Sequence, residues 1–157
     1  MSDSETGWLR QCVELATKNV ALGGGPFGAL VVKDGLVVSE GVNQVTTTLD
    51  PTAHAEVVAV RRACKELDTF RLDGCVLVSS CEPCPMCLSS ALWARVDRVV
   101  YAADRHDAAK AGFDDLAFYE LFEKPRDSWN LPVAQRSGVD GFRPFAAWLD
   151  QPDRVEY

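Results

Sequence analysis

Three residues that could bind one metal ion lie far apart in this sequence, and any fold of the chain must bring them together. His54 stands in the triplet His-Ala-Glu, while Cys84 and Cys87 form a Cys-x-x-Cys step within Pro-Cys-Pro-Met-Cys. One imidazole and two thiolates are ligands that Zn²⁺ accepts, and three protein ligands leave a fourth tetrahedral position for water. The sequence therefore predicts a fold that joins two distant segments at one metal and keeps one coordination position open.

Hydrophobic spacing predicts helices and strands in alternation. Trp8, Cys12 and Leu15 recur at helical spacing, whereas residues 75–80 are typical of a buried strand. Asp34-Gly35 between two apolar runs indicates a β-hairpin. The predicted helices cover about 5–21, 53–67, 85–93, 115–122 and 142–149, and the predicted strands cover 28–33, 36–40, 75–80, 98–102 and, weakly, 132–135.

This order predicts an α/β fold, a three-layer α/β/α sandwich with a mixed five-stranded sheet. The hairpin is antiparallel, and the strand–helix–strand units after residue 75 are parallel. A length of 157 residues is that of one domain, so residues 1–157 are predicted to form a single domain. His54 then falls in the first turn of one helix, and Cys84 begins another. Helix dipoles at these N-termini favour the thiolates that bind metal.

Charge and composition disfavour several classes of partner. The formal net charge is −7 and the isoelectric point is about 4.8, which oppose binding to phosphate backbones. No apolar run approaches the roughly 20 residues that span a bilayer, and residues 1–5 are too polar for a secretory signal. Without export, six cysteines indicate free or metal-bound thiols. We expect a cytoplasmic protein that acts on a small molecule, without membrane or nucleic acid.

The position of Glu56 favours one of two kinds of zinc site. A closed structural site with Cys81 as its fourth ligand is the alternative, since Cys81 to Cys84 is a second Cys-x-x-Cys step. Structural sites pair two short motifs, whereas the other half here is a single histidine beside an acid. A carboxylate at that position can carry protons between a metal-bound water and a substrate. The sequence therefore favours a hydrolytic zinc site, with Cys81 as a buried thiol near the metal.

Several short motifs, taken in order, make the chain resemble a known family. They are Pro26-Phe27-Gly28, Asn43, His54-Ala55-Glu56, the stretch from Cys81 to Cys87, and Gly112-Phe113-Asp114-Asp115. The pattern His-x-Glu with Pro-Cys-x-x-Cys is that of the zinc-dependent nucleobase deaminases. Over nearly its whole length the chain resembles the bacterial guanine deaminases of the cytidine deaminase superfamily. The resemblance implies a cytidine deaminase-like fold, one zinc ion per chain, and hydrolysis of guanine to xanthine and ammonia.

The resemblance also implies roles for individual residues. The implied metal ligands are His54, Cys84 and Cys87, and the implied catalytic acids are Glu56 and, at the substrate amine, Asp115. The implied contacts with the purine base are Asn43, Phe27, Trp93 and Tyr157. The family further implies a homodimer that exchanges the C-terminal segment, about 138–157, so that the terminal carboxylate of Tyr157 reaches the base bound by the partner.

Other functions fit parts of the same pattern. Guanosine deaminases have a similar motif set, tRNA adenosine deaminases share the zinc site but need a basic face, and a cytosine substrate suits the purine contacts less well. From other classes, a zinc-stabilised interaction module and a non-catalytic binder of single strands are the alternatives. The sequence lacks the interleaved aromatic and basic residues of such a binder. His106, among charged neighbours, is expected at the surface.

Overall fold

The computed structural model describes residues 3–157, whose strands form one mixed sheet. The helices are α1 (Asp3–Ala21), α2 (Val45–Thr48), α3 (Ala55–Glu66), α4 (Pro85–Trp93), α5 (Arg105–Lys110), α6 (Asp115–Phe122) and α7 (Arg143–Leu149), with a 3-10 turn at Arg126–Ser128. The strands are β1 (Gly28–Lys33), β2 (Leu36–Val42), β3 (Cys75–Cys81) and β4 (Arg98–Ala103). Their order is β2-β1-β3-β4; β1 is antiparallel to β2 and β3, and β3 is parallel to β4. The α/β prediction with a mixed sheet is confirmed.

Alternation along β1 sends its side chains into two separate apolar clusters. Ala29 and Val31 pack with Ala59 of α3, whereas Leu30 and Val32 pack with Cys12 of α1. The four strand residues are buried, as a central strand covered on both faces requires. Helices therefore cover both faces of the sheet around the first part of the chain.

The predicted fifth strand is wrong. Residues 132–135 form neither helix nor strand, all four are exposed, and the sheet among the described residues has four strands. Pro132 has no backbone N–H to donate to a ladder, and four residues bury too little surface to hold a sheet edge. The weak apolar run was therefore insufficient to make a strand.

The helix α5 was not predicted by the sequence analysis, which expected only that His106 lies at the surface. The carboxylate of Asp104 accepts hydrogen bonds from the backbone nitrogens of His106 and Asp107, both at 2.9 Å, and begins α5. The carboxylate of Asp107 in turn accepts a hydrogen bond from the backbone nitrogen of Asp104, which completes a capping box. These reciprocal hydrogen bonds stabilise the start of α5 although the helix has no apolar face. The helix lies beside the loop that follows β3. Throughout residues 3–157, no helix is both long and apolar enough to cross a membrane.

The chain divides into two compact units, the first ending at Glu120 and the second covering Leu121–Tyr157. The second unit has no buried residue. Its exposed large apolar residues include Phe122, Leu131, Val139, Phe142, Phe145, Leu149 and Tyr157. A segment that buries so little of its own apolar surface has no core of its own. The prediction of a single domain with an exchanged segment from about residue 138 stays a prediction.

Candidate active site and metal centre

Two helix N-termini present the three candidate metal ligands. His54 is the cap residue of α3 and Cys84 is the cap residue of α4, both with extended backbone. Pro85 takes the first position of α4, where its missing N–H leaves no bond unmade. Cys87 follows within the first turn, so all three ligands lie at positive helix ends. The predicted helix start at residue 53 is two residues early, and His54 caps α3 rather than lying inside it.

The distances among the three donor atoms fit a zinc ion. The sulfur atoms of Cys84 and Cys87 lie 3.6 Å apart, and Nδ1 of His54 lies 3.7 Å from the first and 3.5 Å from the second. In a tetrahedral site with ordinary bond lengths, two sulfurs are about 3.8 Å apart and a sulfur and a nitrogen about 3.6 Å apart. Among the residues that the structure describes, His54, Cys84 and Cys87 are the donors that lie close enough together to hold a metal ion.

The electrostatic environment favours ionised sulfur at this position. The contact with Cys87, together with His54, lowers the pKa of Cys84 to about 4 despite its burial. The same contact raises the pKa of Cys87, because a hydrogen bond to the Cys84 sulfur favours the protonated thiol, and burial raises the pKa further. A divalent cation between the two sulfurs is the group that would stabilise both of them as thiolates.

Glu56 lies in the interior, two residues after the histidine ligand. It is only 5% exposed, and the hydroxyl of Ser79 donates a hydrogen bond to its Oε1 at 3.3 Å. Burial raises the pKa of Glu56 above the ordinary value. A carboxyl group with a raised pKa binds a proton more readily than an ordinary one, which suits a group that must both accept and release a proton.

Asp115 begins α6 and faces the same group of charges. It is half-buried, and burial followed by the charge of Cys84 raises its pKa. The electrostatic influence of Asp115 also extends to His54 and Cys81. The structure therefore brings the three metal candidates and Glu56 together, and Asp115 lies within the range of their charges.

Phe27 directly precedes β1 and Asn43 directly follows β2, where these two strands pair. The backbone nitrogen of Asn43 donates to the carbonyl oxygen of Phe27 at 3.1 Å. The Oδ1 atom of Asn43 accepts a hydrogen bond from Val45 at 3.2 Å, which orients its side chain. The Phe27 ring meets the Phe113 ring edge to face, with centroids 4.8 Å apart. Both candidate substrate contacts are thus held in defined orientations.

Trp93 and Tyr157 are described by contacts other than those of the metal candidates. Trp93 is the last residue of α4 and 63% exposed, and six residues of helix separate it from Cys87 by about 9 Å along the axis. Tyr157 belongs to the second unit, where its ring meets Trp148 with centroids 6.3 Å apart. Their roles as substrate contacts stay predictions.

Cys81 and His106 lie where the sequence analysis expects them. Cys81 is buried, and its sulfur lies 3.7 Å from the carbonyl oxygen of Asp104 rather than among the donor atoms of the three ligands. His106 is exposed on α5. The ligand group therefore has the three members that leave a position open, not the four of a closed structural site.

Some residues that support the site have no motif to reveal them. Ser79 holds Glu56, and Asn19 of α1 bonds the backbone of Asn43. The available signal is polarity at a buried position: Ser79 follows the apolar run within β3, and Asn19 continues the buried stripe of α1. A polar residue at such a position needs a hydrogen-bond partner, which marks it for attention even from sequence.

Comparison with known proteins places this geometry in context. Residues 2–103 match the model of a family described as the cytidine and deoxycytidylate deaminase zinc-binding region. The chain is 50% identical over 151 residues to guanine deaminase of Bacillus subtilis, covering 96% of this chain and 97% of the relative. The X-ray structure of that guanine deaminase superposes with a TM-score of 0.94 at 48% identity, over 100% of this chain and 99% of the other.

Of two further similar proteins, one has a structure in complex with a purine analogue and the other is named for a different substrate. A crystal structure of a mutant of the protein NE0047 in complex with 8-azaguanine has a TM-score of 0.68 and 39% identity, covering 71% of this chain and 65% of that one. A tRNA-specific adenosine deaminase of Haemophilus influenzae is 37% identical over 128 residues, covering 78% of this chain and 74% of the relative. The similarity to the Bacillus protein extends over a larger part of the chain than either of these.

Proposed function

This chain belongs to the cytidine and deoxycytidylate deaminase zinc-binding family, and we propose that it is a zinc-dependent hydrolase that converts guanine and water to xanthine and ammonia. The similarity to a guanine deaminase at 50% identity over 96% of the chain supports guanine as the substrate. The single structural observation that carries the reaction is the buried carboxyl group of Glu56 beside three ligands of an open zinc site.

The three-ligand site suits hydrolysis rather than structural support. His54, Cys84 and Cys87 would hold the zinc ion, which would supply Lewis acidity and lower the pKa of a water molecule toward neutrality. We propose one such ion per chain. All six cysteines are free thiols, which is typical of the reducing cytoplasm, and we place the enzyme there.

Two carboxyl groups divide the proton transfers in this proposal. Glu56 accepts a proton from the attacking water and delivers it to the ring nitrogen beside the amine-bearing carbon. The water oxygen bonds to that carbon as the carbon–nitrogen double bond of the ring opens. The bond to the exocyclic amine then breaks as the ring double bond re-forms, and the departing amine takes up the second proton of the water to leave as ammonia. Asp115, whose pKa is raised by burial and by the charge of Cys84, is the group that we assign to this second transfer.

The base itself is held by residues outside the metal ligands. We assign a hydrogen bond to the purine to Asn43, whose side chain is fixed by the bond from Val45. Phe27, oriented by Phe113, would pack on the ring face. Asn43 is 8% exposed, so its bond to a ligand would form in a site with little competing water.

We further propose that the enzyme is a homodimer in which the second unit covers the partner's site. Residues 121–157 include no buried residue and expose a series of large apolar side chains. A surface of this kind is typical of a segment that packs against another chain. Trp93 and Tyr157 would then wall the pocket and contact the base as parts of the assembled dimer.

Ammonia release from a panel of substrates tests the proposal directly. Purified protein, its zinc content measured, is given guanine, guanosine, adenine, cytosine, cytidine and an adenosine-containing tRNA anticodon stem. We expect release from guanine and a loss of about 10²- to 10⁴-fold in the Glu56→Gln variant, with zinc content unchanged. Because glutamine has the size of glutamate, the variant keeps the packing around Ser79 and removes only the ionisable group.

The other outcomes identify the competing functions. Release from guanosine in place of guanine would replace our substrate while retaining the zinc mechanism. Release from tRNA alone would favour the activity named for the Haemophilus relative, against the net charge of −7. No release from any substrate, with bound zinc, would leave a structural zinc module.

A further inference from the structure

The loop that carries the ligand Cys84 is bonded directly to α6. The hydroxyl of Tyr119 donates a hydrogen bond to the carbonyl oxygen of Pro83, the residue before that ligand. Pro83 is fully buried, so its carbonyl has few alternative partners. Burial raises the pKa of Tyr119 to about 12, and the phenol therefore stays protonated and remains a donor at physiological pH.

Arg105 attaches the same loop to the ring of Tyr119. Its Cζ lies 3.5 Å from the ring centroid, within the range of a cation–π contact. Its backbone nitrogen and Nε donate to one carboxylate oxygen of Glu82, both at 3.0 Å, and a terminal nitrogen donates to the other. Glu82 also donates its own backbone N–H to Ala103 at 2.8 Å. Residues 82 and 83 are consequently held by side chains from two other elements.

The position of Tyr119 on its helix connects this cluster with the reaction. Asp115 and Tyr119 are four residues apart in α6, and residues at that spacing share one face of a helix. The same face thus carries the carboxyl group that responds to the charge of Cys84 and the hydroxyl that holds the preceding Pro83.

We propose that Glu82, Arg105 and Tyr119 form a positioning cluster that sets the carboxyl group of Asp115 at a fixed distance from the Cys84 loop. This inference rests on the proposed function, in which Asp115 transfers the second proton. In this proposal Tyr119 acts through the orientation of α6, by its bond to Pro83, and not by contact with the reacting atoms. A proton donor displaced by about 1 Å loses much of its effect on rate.

A purely structural role for the cluster leads to a different result. The Arg105–Glu82 pair has side chains 30% and 12% exposed, and a pair near the surface contributes little to the free energy of unfolding. A structural Tyr119 would affect unfolding and turnover independently of Asp115. A positioning Tyr119 affects turnover only while Asp115 can transfer its proton.

A double-mutant cycle on kcat for guanine separates these cases. Tyr119→Phe keeps the ring under Arg105 and removes only the hydroxyl; we expect kcat to fall about 5- to 10-fold with KM nearly unchanged. Asp115→Asn alone should lower kcat about 100-fold. In the Asp115→Asn background, Tyr119→Phe should change kcat by less than about twofold, because the carboxyl group that Tyr119 positions is no longer present. Tyr101→Phe, on exposed β4, is the matched control and should leave kcat unchanged.

Two measurements that do not depend on turnover complete the test. Zinc content should equal that of the wild type in every variant, and amide hydrogen exchange at residues 115–120 should be faster in Tyr119→Phe than in Tyr101→Phe. The same fold loss in the presence and absence of Asp115, unchanged exchange, or loss of zinc in Tyr119→Phe would each overturn the positioning role. Absence of guanine turnover in the wild type would instead refute the proposed function, and the exchange result would then decide alone whether the cluster holds α6.

Discussion

The side-chain nitrogen of Asn19 donates a hydrogen bond to the backbone oxygen of Asn43 at 2.9 Å. The same nitrogen lies 2.8 Å from the backbone oxygen of Gly25, so one amide of α1 bridges the loop before β1 and the end of β2. Asn19 is only 8% exposed. A residue remote from the metal thus fixes the backbone of the residue that we assign to the purine.

Asn19→Ala should weaken substrate binding. The change removes both hydrogen bonds and leaves the carbonyl group of Asn43 without this partner, whereas the carbonyl group of Gly25 keeps the backbone nitrogen of Phe27. We expect the free energy of unfolding to fall by about 1–3 kcal/mol. Because the backbone of Asn43 is then free to shift, KM for guanine should rise by more than kcat falls. Urea unfolding and steady-state kinetics measure the two effects. Asn130→Ala, at an exposed asparagine, is the control; equal kinetic effects of both substitutions would contradict the bridging role.

Gly41→Ala should destabilise the protein and disturb the metal site together. A Cβ at Gly41 would lie 2.1 Å from the carbonyl oxygen of Ala55 and 2.6 Å from the nitrogen of Ala59, so β2 and α3 would have to separate. We expect a loss of about 3 kcal/mol in the free energy of unfolding and weaker zinc retention, since Ala55 follows His54.

Gly7→Ala is the matched control for that substitution. A Cβ at Gly7, within α1, meets nothing within 4 Å, and alanine should raise stability by about 0.5–1 kcal/mol through helix propensity alone. Denaturant unfolding and chelator competition on both variants check the pair. Wild-type stability and zinc retention in Gly41→Ala would refute the close approach of β2 to α3.

The residue types at the metal site explain why it was predictable from sequence. A histidine followed at two residues by an acid, and two cysteines one helical turn apart, restrict both the local structure and the chemistry. His54 and Cys84 occupy helix caps, and proline and short apolar runs mark those helices in the sequence. The strands β1 and β3 were equally clear because continuous apolar runs bury both faces.

The parts that the sequence analysis missed depend on partners far along the chain. Ser79 and Tyr119 contact residues 23 and 36 positions away, and no local pattern specifies such contacts. The false strand at residues 132–135 has the opposite origin, because local propensity had no tertiary partner to act on. Short sequence motifs therefore located the ligands, whereas the hydrogen bonds that orient the acids could be found only from the three-dimensional structure.

Alkaline pH should destabilise the protein through Cys12. Its side chain is completely buried, and burial raises its pKa from 9.0 to about 12. Between these values the unfolded thiol ionises while the folded thiol keeps its proton, so the folded state binds more protons and stability falls as pH rises. One such group contributes a slope of about −1.4 kcal/mol per pH unit.

Substitution of Cys12 by alanine should make the fall in stability with pH less steep by that amount, while other groups whose pKa is raised by burial, such as Cys81 and Tyr119, keep their own contributions. Urea unfolding at several pH values from 9 upward measures it, and the comparison of slopes is independent of the constant effect of the smaller side chain. Cys64→Ala, at a half-buried thiol, should retain most of the wild-type slope. An unchanged slope in Cys12→Ala would show that Cys12 is not the group responsible.

Removal of residues 154–157 should leave a folded, zinc-bound dimer with poor turnover. The second unit exposes Tyr157 at 73% and has no buried residue, so these last residues contribute little to the stability of their own unit. If they cover the partner's site, their loss opens that site to water and raises KM. Zinc content, size-exclusion chromatography and guanine kinetics test each part, and full activity in the truncated protein would refute the covering role.

A mixture of two inactive chains determines whether the segment acts on its own chain or on the partner. A Glu56→Gln chain has an intact C-terminus but cannot transfer the proton, and the truncated chain has the opposite defect. In a mixed dimer with an exchanged segment, the truncated chain's site receives the intact C-terminus of the Glu56→Gln chain. Random re-association of equal amounts should therefore restore about a quarter of wild-type activity. No recovery in the mixture, with mixed dimers demonstrated, would mean that the C-terminal residues serve the site of their own chain.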